Sequence, residues 1–234
     1  TYAIELIAKQ MDASFLSPQQ MLAALQKGGM MNQMNETVSG RSSYNTAFGH
    51  ICSLFSTGNL SPVEKRLLSY LSLCGIRGVP AVRFKEWAQL ESFETVNGLV
   101  RKSWIRKEPG GRISLHPLVR EVVSAILKPT AESCCSFLDK AARFCYNAWY
   151  RPYTENVAIA DAVLSFLDTL PPQGEMWLQM SYFCSFLWQV GKFEESISHC
   201  HRLMDAVLER YGTASMISGY TAKCLGGCYF NSRR

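Results

Sequence analysis

The sequence predicts a mainly α-helical fold that contains one small β-hairpin and continues into helical-hairpin repeats. Apolar residues recur at helical spacing along most of the 234 residues. The spacing changes to alternation on either side of a Glu-Pro-Gly-Gly turn at 108–111, which is typical of a hairpin. Segments beginning at Phe183 and Leu225 are alike at a separation of 42 residues, a period typical of stacked helical pairs.

Composition narrows the class of protein. The chain is 47% hydrophobic and 18% charged, as expected for a globular protein. No stretch approaches the roughly 18 apolar residues of a membrane span, so no membrane partner is expected. Nine cysteines without regular spacing favour a reducing, cytoplasmic location. The start at Thr1 lacks a signal-peptide pattern and begins as if inside a helix, so we expect the sequence to belong to a longer chain.

Residues 1–57 are predicted to form a helical segment. Ser17 is a suitable N-cap, with Pro18 in the first turn, for a helix that ends at Gly28. A polar loop at 30–43 separates it from a further helix at 45–57.

Residues 58–128 are predicted to form a second domain that begins with a capping box. Ser61 is its expected N-cap, Pro62 fits the first helical position, and Glu64 can reach back to the cap. The other predicted segments are an extended piece at 78–82, a helix around Trp87, a helix from Ser92 to about Lys102, and a hairpin of 104–107 with 112–115. Three helices followed by a hairpin is the winged-helix arrangement.

Residues 129–234 are predicted to be helical repeats. The expected helices lie near 132–149, 155–169, 174–190, 193–211 and 213–230. Leu225-Gly226-x-x-Tyr229 and Gly191-x-Phe193-Glu194-Glu195 resemble the first helix and the inter-helix turn of the tetratricopeptide repeat. Ser196 stands where that family has a small residue, and Cys184 replaces its glycine. The sequence is expected to end before the last repeat completes its second helix.

A second resemblance covers the middle of the chain. Leu115-His116-Pro117-Leu118-Val119-Arg120-Glu121 looks like the Met-His-Asp-Leu-Val-Arg-Glu motif of the STAND-class signalling ATPases of the NB-ARC type. Further matching positions are Ser61-Pro62-x-Glu64-x-x-Leu67-Leu68, Trp87, Leu99-Val100, Trp104-Ile105 and Ala3-Ile4-Glu5-Leu6. The resemblance implies an ATPase domain upstream in the same chain, switched by ADP and ATP.

His116 is the candidate cofactor-binding residue that this resemblance implies. In that family the histidine contacts the β-phosphate of ADP and holds the inactive state. Leu115 and Pro117 depart from the family motif, where methionine and an acidic residue stand. The alternative is that His116 only joins the hairpin to the next helix.

No motif in the sequence indicates an enzyme. A Gly-x-x-x-x-Gly-Lys-Ser/Thr loop for a nucleotide triphosphate does not occur, nor does Gly-x-Ser-x-Gly or His-Glu-x-x-His. We therefore expect a non-catalytic module without a cofactor of its own, which couples partner sensing by the repeats to the upstream ATPase.

The basic residues of the middle domain leave a DNA-binding alternative open. Residues 61–128 carry 12 basic and 6 acidic side chains. The candidate phosphate contacts are Arg101, Lys102, Arg106, Lys107 and Arg112. Glu91 and Glu94 in the expected recognition helix oppose that interpretation, so a transcriptional regulator with a repeat-type effector domain is the second hypothesis.

Aromatic residues in the repeats suggest a protein or peptide partner. The candidate contacts are Trp149, Tyr153, Trp177 and Trp188. His199-Cys200-His201 and the pair Cys224 and Cys228 use metal-ligand residue types, but their spacing is not that of a zinc site and no metal is expected.

Overall fold

The computed structural model describes residues 17–20, 59–171 and 176–232. The described helices are α1 (Pro62–Leu73), α2 (Ala81–Trp87), α3 (Glu94–Arg101), α4 (Pro117–Leu127), α5 (Cys135–Tyr146), α6 (Tyr153–Thr169), α7 (Trp177–Gln189), α8 (Phe193–Tyr211) and α9 (Met216–Ser232). The strands are β1 (Val79–Pro80), β2 (Arg106–Glu108) and β3 (Arg112–Ser114). The mainly helical class is therefore confirmed. The helices predicted within 1–57 lie outside the described residues, apart from 17–20.

Local sequence signals explain where α1 begins. The Ser61 hydroxyl accepts a hydrogen bond from the Glu64 amide at 3.2 Å, and the Glu64 carboxylate accepts one from the Ser61 amide at 2.8 Å. This is the predicted capping box, which satisfies two amides that a helix start leaves unpaired. Ser17 and Gln20 exchange the same two bonds, at 3.3 and 2.9 Å.

The sheet has one strand more than the sequence predicts. β2 and β3 form the expected hairpin, with Lys107 opposite Ile113, and its turn at 109–111 is a short 3-10 helix. β1 pairs antiparallel with the other edge of β3, giving the order β1-β3-β2. The prediction of a hairpin alone was incomplete because an extended segment does not reveal its partner. Ala81 and Val82, expected to be extended, instead begin α2 directly after Pro80.

From α5 onward the helices alternate between two layers. α7 packs on α5 and α9, while α8 packs on α7 and α9, and α6 packs on α7 and α1. The hydroxyls of Ser181 and Thr221 lie 3.2 Å apart, and the Cys224 thiol reaches the Ser181 carbonyl at 3.6 Å. α7 and α9 are therefore aligned at an offset of 40 to 43 residues, which matches the period found in the sequence.

The hydrophobic core is continuous across residue 128. Phe137 on α5 is fully buried, and its ring lies 4.6 to 6.0 Å from the rings of Tyr70, Phe84, Trp87 and Phe166. Lys128 is the left-handed cap that ends α4, next to the predicted stop at Pro129. The domain boundary at 128 stays a prediction. The residues before and after it share one hydrophobic core. Across the described ranges, no helix is both long and apolar enough to cross a membrane.

Candidate functional site

His116 lies where the sheet ends and α4 begins. Its Nδ1 accepts a hydrogen bond from the Leu118 amide at 3.2 Å, and Pro117 fills the first helical position. Partial burial, together with the nearby cation of Arg106, lowers the pKa of His116. The imidazole is therefore neutral near pH 7, and the proton then resides on Nε2 because Nδ1 accepts. This geometry accounts for a capping role, and nucleotide sensing stays a prediction.

Arg101, Arg106 and Lys107 are exposed among the five predicted nucleic-acid contacts, and Lys102 and Arg112 are partly exposed. The Lys102 ammonium lies 2.6 Å from the Glu64 carboxylate of α1, and Arg106 lies 3.5 Å from Glu108. Carboxylates among these cations weaken attraction to a phosphate backbone.

Arg112 has a structural role that its sequence pattern does not reveal. Its guanidinium donates to the carbonyl oxygens of Arg77 at 3.1 Å, Gly78 at 2.9 Å and Ala158 at 2.5 Å. These bonds join β3 to the turn before β1 and to α6. Because one guanidinium binds three carbonyls, Arg112 joins the sheet to α6, and these bonds compete with any contact to a phosphate.

We expect Arg112→Ala to lower the free energy of unfolding by about 2 to 4 kcal/mol, since charge-assisted hydrogen bonds contribute about 1.5 to 3 kcal/mol each and partly exposed ones less. Lys107→Ala, a change at an exposed cation on the adjacent strand, is the control and should alter stability by less than about 0.5 kcal/mol. Urea unfolding followed by circular dichroism measures both. Similar small losses would show that the three carbonyl bonds contribute little.

The four residues predicted to contact a partner lie at two separate places in the structure. The rings of Trp149 and Trp188 lie 5.2 Å apart, and the Tyr153 hydroxyl reaches the Val190 carbonyl at 3.3 Å. Trp149 and Tyr153 are 63% and 61% exposed. Trp177 is buried at the other end of α7, against Tyr211 at 5.9 Å. Trp177 therefore belongs to the core and cannot join a surface formed by the other three.

Trp177 instead lines an open cavity of about 1150 Å³. The cavity lies beside the segment before α5, the end of α6 and the last turns of α8. Its charged lining residues are Glu132, Glu209 and Arg210, of both signs. The Trp177 indole nitrogen has no hydrogen-bond partner among the described residues.

A row of three tyrosines crosses the layer formed by α5, α7 and α9. Tyr146 lies 4.8 Å from Tyr182, and Tyr182 lies 5.5 Å from Tyr220, between ring centroids. Tyr146 is 55% exposed and the other two are partly exposed. We call these residues the tyrosine row. None of the three is among the candidate partner contacts predicted above, although their separations of 36 and 38 residues are close to the predicted period.

The hydroxyls of Tyr182 and Tyr220 stay protonated at neutral pH. Burial raises the pKa of Tyr182, and the neighbouring Tyr146 raises it further. Burial also raises the pKa of Tyr220, with smaller contributions from Cys224 and Tyr182. Neutral phenols can both donate and accept hydrogen bonds, so the row offers polar contacts without adding charge.

A second set of residues lies on α7, on α9 and on the short 3-10 helix Ala148–Tyr150 that follows α5. Trp149 follows α5, Trp188 lies near the end of α7, and a side chain at Gly227 of α9 would lie 3.7 Å from the Trp188 indole. We call Trp149, Trp188 and Gly227 the tryptophan row, and the two rows together the aromatic face. Because Gly227 has no side chain, nothing at position 227 covers the adjacent flank of the Trp188 ring.

The elements of the aromatic face carry mostly positive charge. α7 has no charged residue, and α9 has only Lys223. The segment 135–151 adds Lys140, Arg143 and Arg151 against the single carboxylate of Asp139, which pairs with Arg143 at 2.9 Å. Four cations therefore accompany one carboxylate on these elements, while carboxylates are common on α6 and α8.

Six of the seven cysteines in residues 129–234 are buried, and Cys135 is exposed. The Ser196 hydroxyl donates to the Cys184 carbonyl at 2.7 Å and contacts the Cys228 sulfur at 3.0 Å. Burial raises the pKa of the Cys224 thiol to about 11, so the thiol stays protonated. The eight cysteines of the described residues are free thiols.

The two histidines of the segment His199-Cys200-His201 contact different residues. His199 Nε2 lies 3.2 Å from the Asp168 carboxylate, and His201 Nε2 lies 2.8 Å from the Tyr229 hydroxyl. Within the described part of the chain, no group of three or more histidine, cysteine and carboxylate side chains is arranged to hold a metal ion.

Comparison of the chain with protein-family models, with curated proteins and with solved structures finds no match in any of the three.

Proposed function

We propose that the chain is a protein-interaction module of a regulatory protein, in which the aromatic face of tetratricopeptide-like repeats binds an extended peptide. The observation that carries this proposal is the aromatic face itself. It combines half-exposed rings from three elements with an absence of carboxylates other than Asp139. Rows of exposed aromatic rings are enriched at binding surfaces because they bury a large apolar area while retaining polar groups.

Two contacts support a repeat of the tetratricopeptide type. Ser196 and Cys184 occupy the positions of the two small residues in that family, and the Ser196 hydroxyl bonds to the Cys184 carbonyl. The pairing of Ser181 with Thr221 aligns α7 and α9 at about one repeat. The first contact is expected between the two helices of one hairpin, and the second where successive hairpins stack in register.

Polar bridges support coupling between the repeats and residues 58–128, which we propose form a winged-helix unit. Asp161 on α6 accepts from Arg77 at 3.0 Å and lies 3.7 Å from Lys192, just before α8. Arg83 on α2 binds Glu155 on α6 at 2.6 Å. A displacement of α6 on partner binding would therefore act on the turn before β1 and on α2. By the NB-ARC resemblance, that response would reach a nucleotide-switched ATPase domain of the same protein.

A DNA-binding regulator is the alternative function, and the geometry gives it less support. Arg112 and Lys102 are bound within the chain, so two of its five proposed phosphate contacts are already occupied. A gel shift with random duplex at low salt tests this alternative, and binding there would favour it.

The proposed function is tested by selecting a random peptide library on the immobilised chain. We expect enriched peptides to bind Tyr182→Ala at least about tenfold more weakly than the unaltered chain. Tyr211→Ala removes another partly exposed tyrosine, away from the aromatic face, and should leave their affinity unchanged. Thermal unfolding verifies that both variants are folded. Failure to enrich any peptide, or equal losses in the two variants, would contradict the proposal.

A further inference from the structure

We propose that protonation of His199 weakens the contact between α6 and α8, so that mild acidification detaches the end of α6 from α8. This conformational change is independent of the partner that the aromatic face binds.

Two polar contacts join α6 to α8. The Asp161 carboxylate lies 3.7 Å from the ammonium of Lys192, the residue just before α8, and the Asp168 carboxylate lies 3.2 Å from His199 Nε2. The two contacts are seven residues apart along both segments, so α6 and α8 run side by side in the same direction. Seven residues of helix span about 10.5 Å, or about two turns. His199 therefore holds the C-terminal end of α6, and Lys192 holds a point two turns earlier.

Both nitrogens of the His199 ring already have a partner. The Arg202 guanidinium, which can only donate, lies 3.4 Å from Nδ1, so Nδ1 is the acceptor. The proton of the neutral ring therefore resides on Nε2, which donates to the Asp168 carboxylate. A second proton would have to enter at Nδ1, where it would face an N–H group of Arg202. Protonation therefore breaks the contact with Arg202 and places one cation beside another.

The surroundings of the ring favour its neutral form. The His199 side chain is 8% exposed, so a charge there loses most of its hydration. Asp168 attracts the charged ring, but the Asp168 side chain is 61% exposed, and water and salt screen its charge. Burial outweighs this attraction and lowers the pKa of His199, and the Arg202 cation lowers it further.

The remaining charges near the ring do not reverse this preference. Glu195, one turn before His199 on α8, favours the charged ring but is itself paired with Lys192 at 3.5 Å. Of the helices that pack on α8, α7 has no charged residue, and α9 has only Lys223, which is exposed. Asp168 is therefore the main group that stabilises the imidazolium.

Acidification removes stability from this contact. A detached histidine has the ordinary pKa of about 6.5, and the packed ring has a lower one. The detached ring therefore takes up a proton first, and the packed state loses stability as the pH falls below about 6.5. The loss is complete once the pH lies below the lowered pKa. At pH 7.5 the ring is neutral in both states, and the contact keeps its full stability.

Amide hydrogen exchange of the full chain at pH 7.5 and 5.5 tests the inference at the end of α6. One pH unit below its pKa, proton uptake by a detached ring increases the open population by up to about tenfold. We expect protection of residues 165–169, corrected for intrinsic rates, to fall at least about threefold relative to α7. This local measurement is needed because burial also lowers the pKa of His116, so that a global transition would combine the two histidines.

Two histidine variants assign the effect. His199→Gln keeps a donor and an acceptor but takes up no proton, so the difference between the two pH values should disappear. His201→Gln replaces an exposed histidine of the same helix and should retain the difference. Unchanged protection in the unaltered chain, or a difference that persists in His199→Gln, would overturn the inference.

Two charge variants should move the titration of His199 in opposite directions. Asp168→Asn removes the attracting carboxylate, so the pKa of His199 should fall. Arg202→Gln removes the repelling cation, so the pKa should rise. The NMR signal of the ring carbon between the two nitrogens measures the pKa in each protein. Shifts of the same sign in both variants, or a pKa at or above about 6.5 in the unaltered chain, would contradict the proposed role of His199.

Discussion

Replacing Gly78 with alanine is expected to lower the free energy of unfolding by about 4 kcal/mol or more, the largest loss among the glycines described. Gly78 has a φ of +62°, and a Cβ there would overlap the carbonyl oxygen of Ile113 and approach the Ser114 Cβ at 2.8 Å. Both obstacles belong to β3, which is paired on both edges and bound to Gly78 by Arg112. Neither backbone can shift without disturbing these hydrogen bonds, so the overlap would strain the sheet.

Gly110→Ala measures the cost of a positive φ without the overlap, and so serves as the control. Gly110 has a φ of +73°, but no atom lies within 4 Å of the Cβ position. Its replacement should cost only the left-handed penalty of about 1 to 2 kcal/mol. Urea unfolding of both variants gives the comparison. Equal losses would mean that contact with β3 is not what requires glycine at position 78.

Phe137→Ala is expected to destabilise the whole described structure by about 3 to 5 kcal/mol, the usual cost of removing a buried aromatic ring. The ring is stacked on Tyr70 of α1 at 4.6 Å and packs against Trp87 of α2 and Phe166 of α6. Since those contacts join residues 58–128 to residues 129–234, we expect one unfolding transition that shifts as a unit. Thermal unfolding followed by near- and far-ultraviolet circular dichroism measures the shift.

Tyr150→Ala is the matched control for that prediction. The Tyr150 side chain is 89% exposed, close in sequence to Phe137, and its removal should change stability by less than about 0.5 kcal/mol. Two separate transitions in Phe137→Ala, with only the second moved, would argue that the regions on either side of residue 128 fold independently. The predicted domain boundary would then separate two units that unfold independently.

Some features of this protein follow from the sequence by itself, because their causes are local. The capping box at Ser61, the Pro-Gly-Gly turn and the end of α4 before Pro129 each depend on residues a few positions apart. Helical periodicity identifies α1 to α9 to within a few residues, since it needs only one buried side for each helix. The 42-residue similarity also predicted the alignment of α7 with α9.

The candidate site was less predictable, because it depends on which surfaces meet. Trp149 and Trp177 look equivalent in the sequence, yet one is 63% exposed and the other 4%. Arg112 reads as a surface cation of the hairpin, and its partner Ala158 lies 46 residues further along the chain. The tyrosine row could have been predicted only by comparing aromatic residues at the repeat spacing.

The sequence therefore determined the class of fold, the helix ends and the hairpin, since backbone conformation and one-sided burial are encoded within a few residues. The tertiary structure alone decided that β1 joins β3, that Phe137 links the two regions, and that Tyr146, Tyr182 and Tyr220 form one row. These are pairings between distant segments. A residue's hydrophobicity favours burial or exposure, but the partner it meets is fixed only when the layers pack.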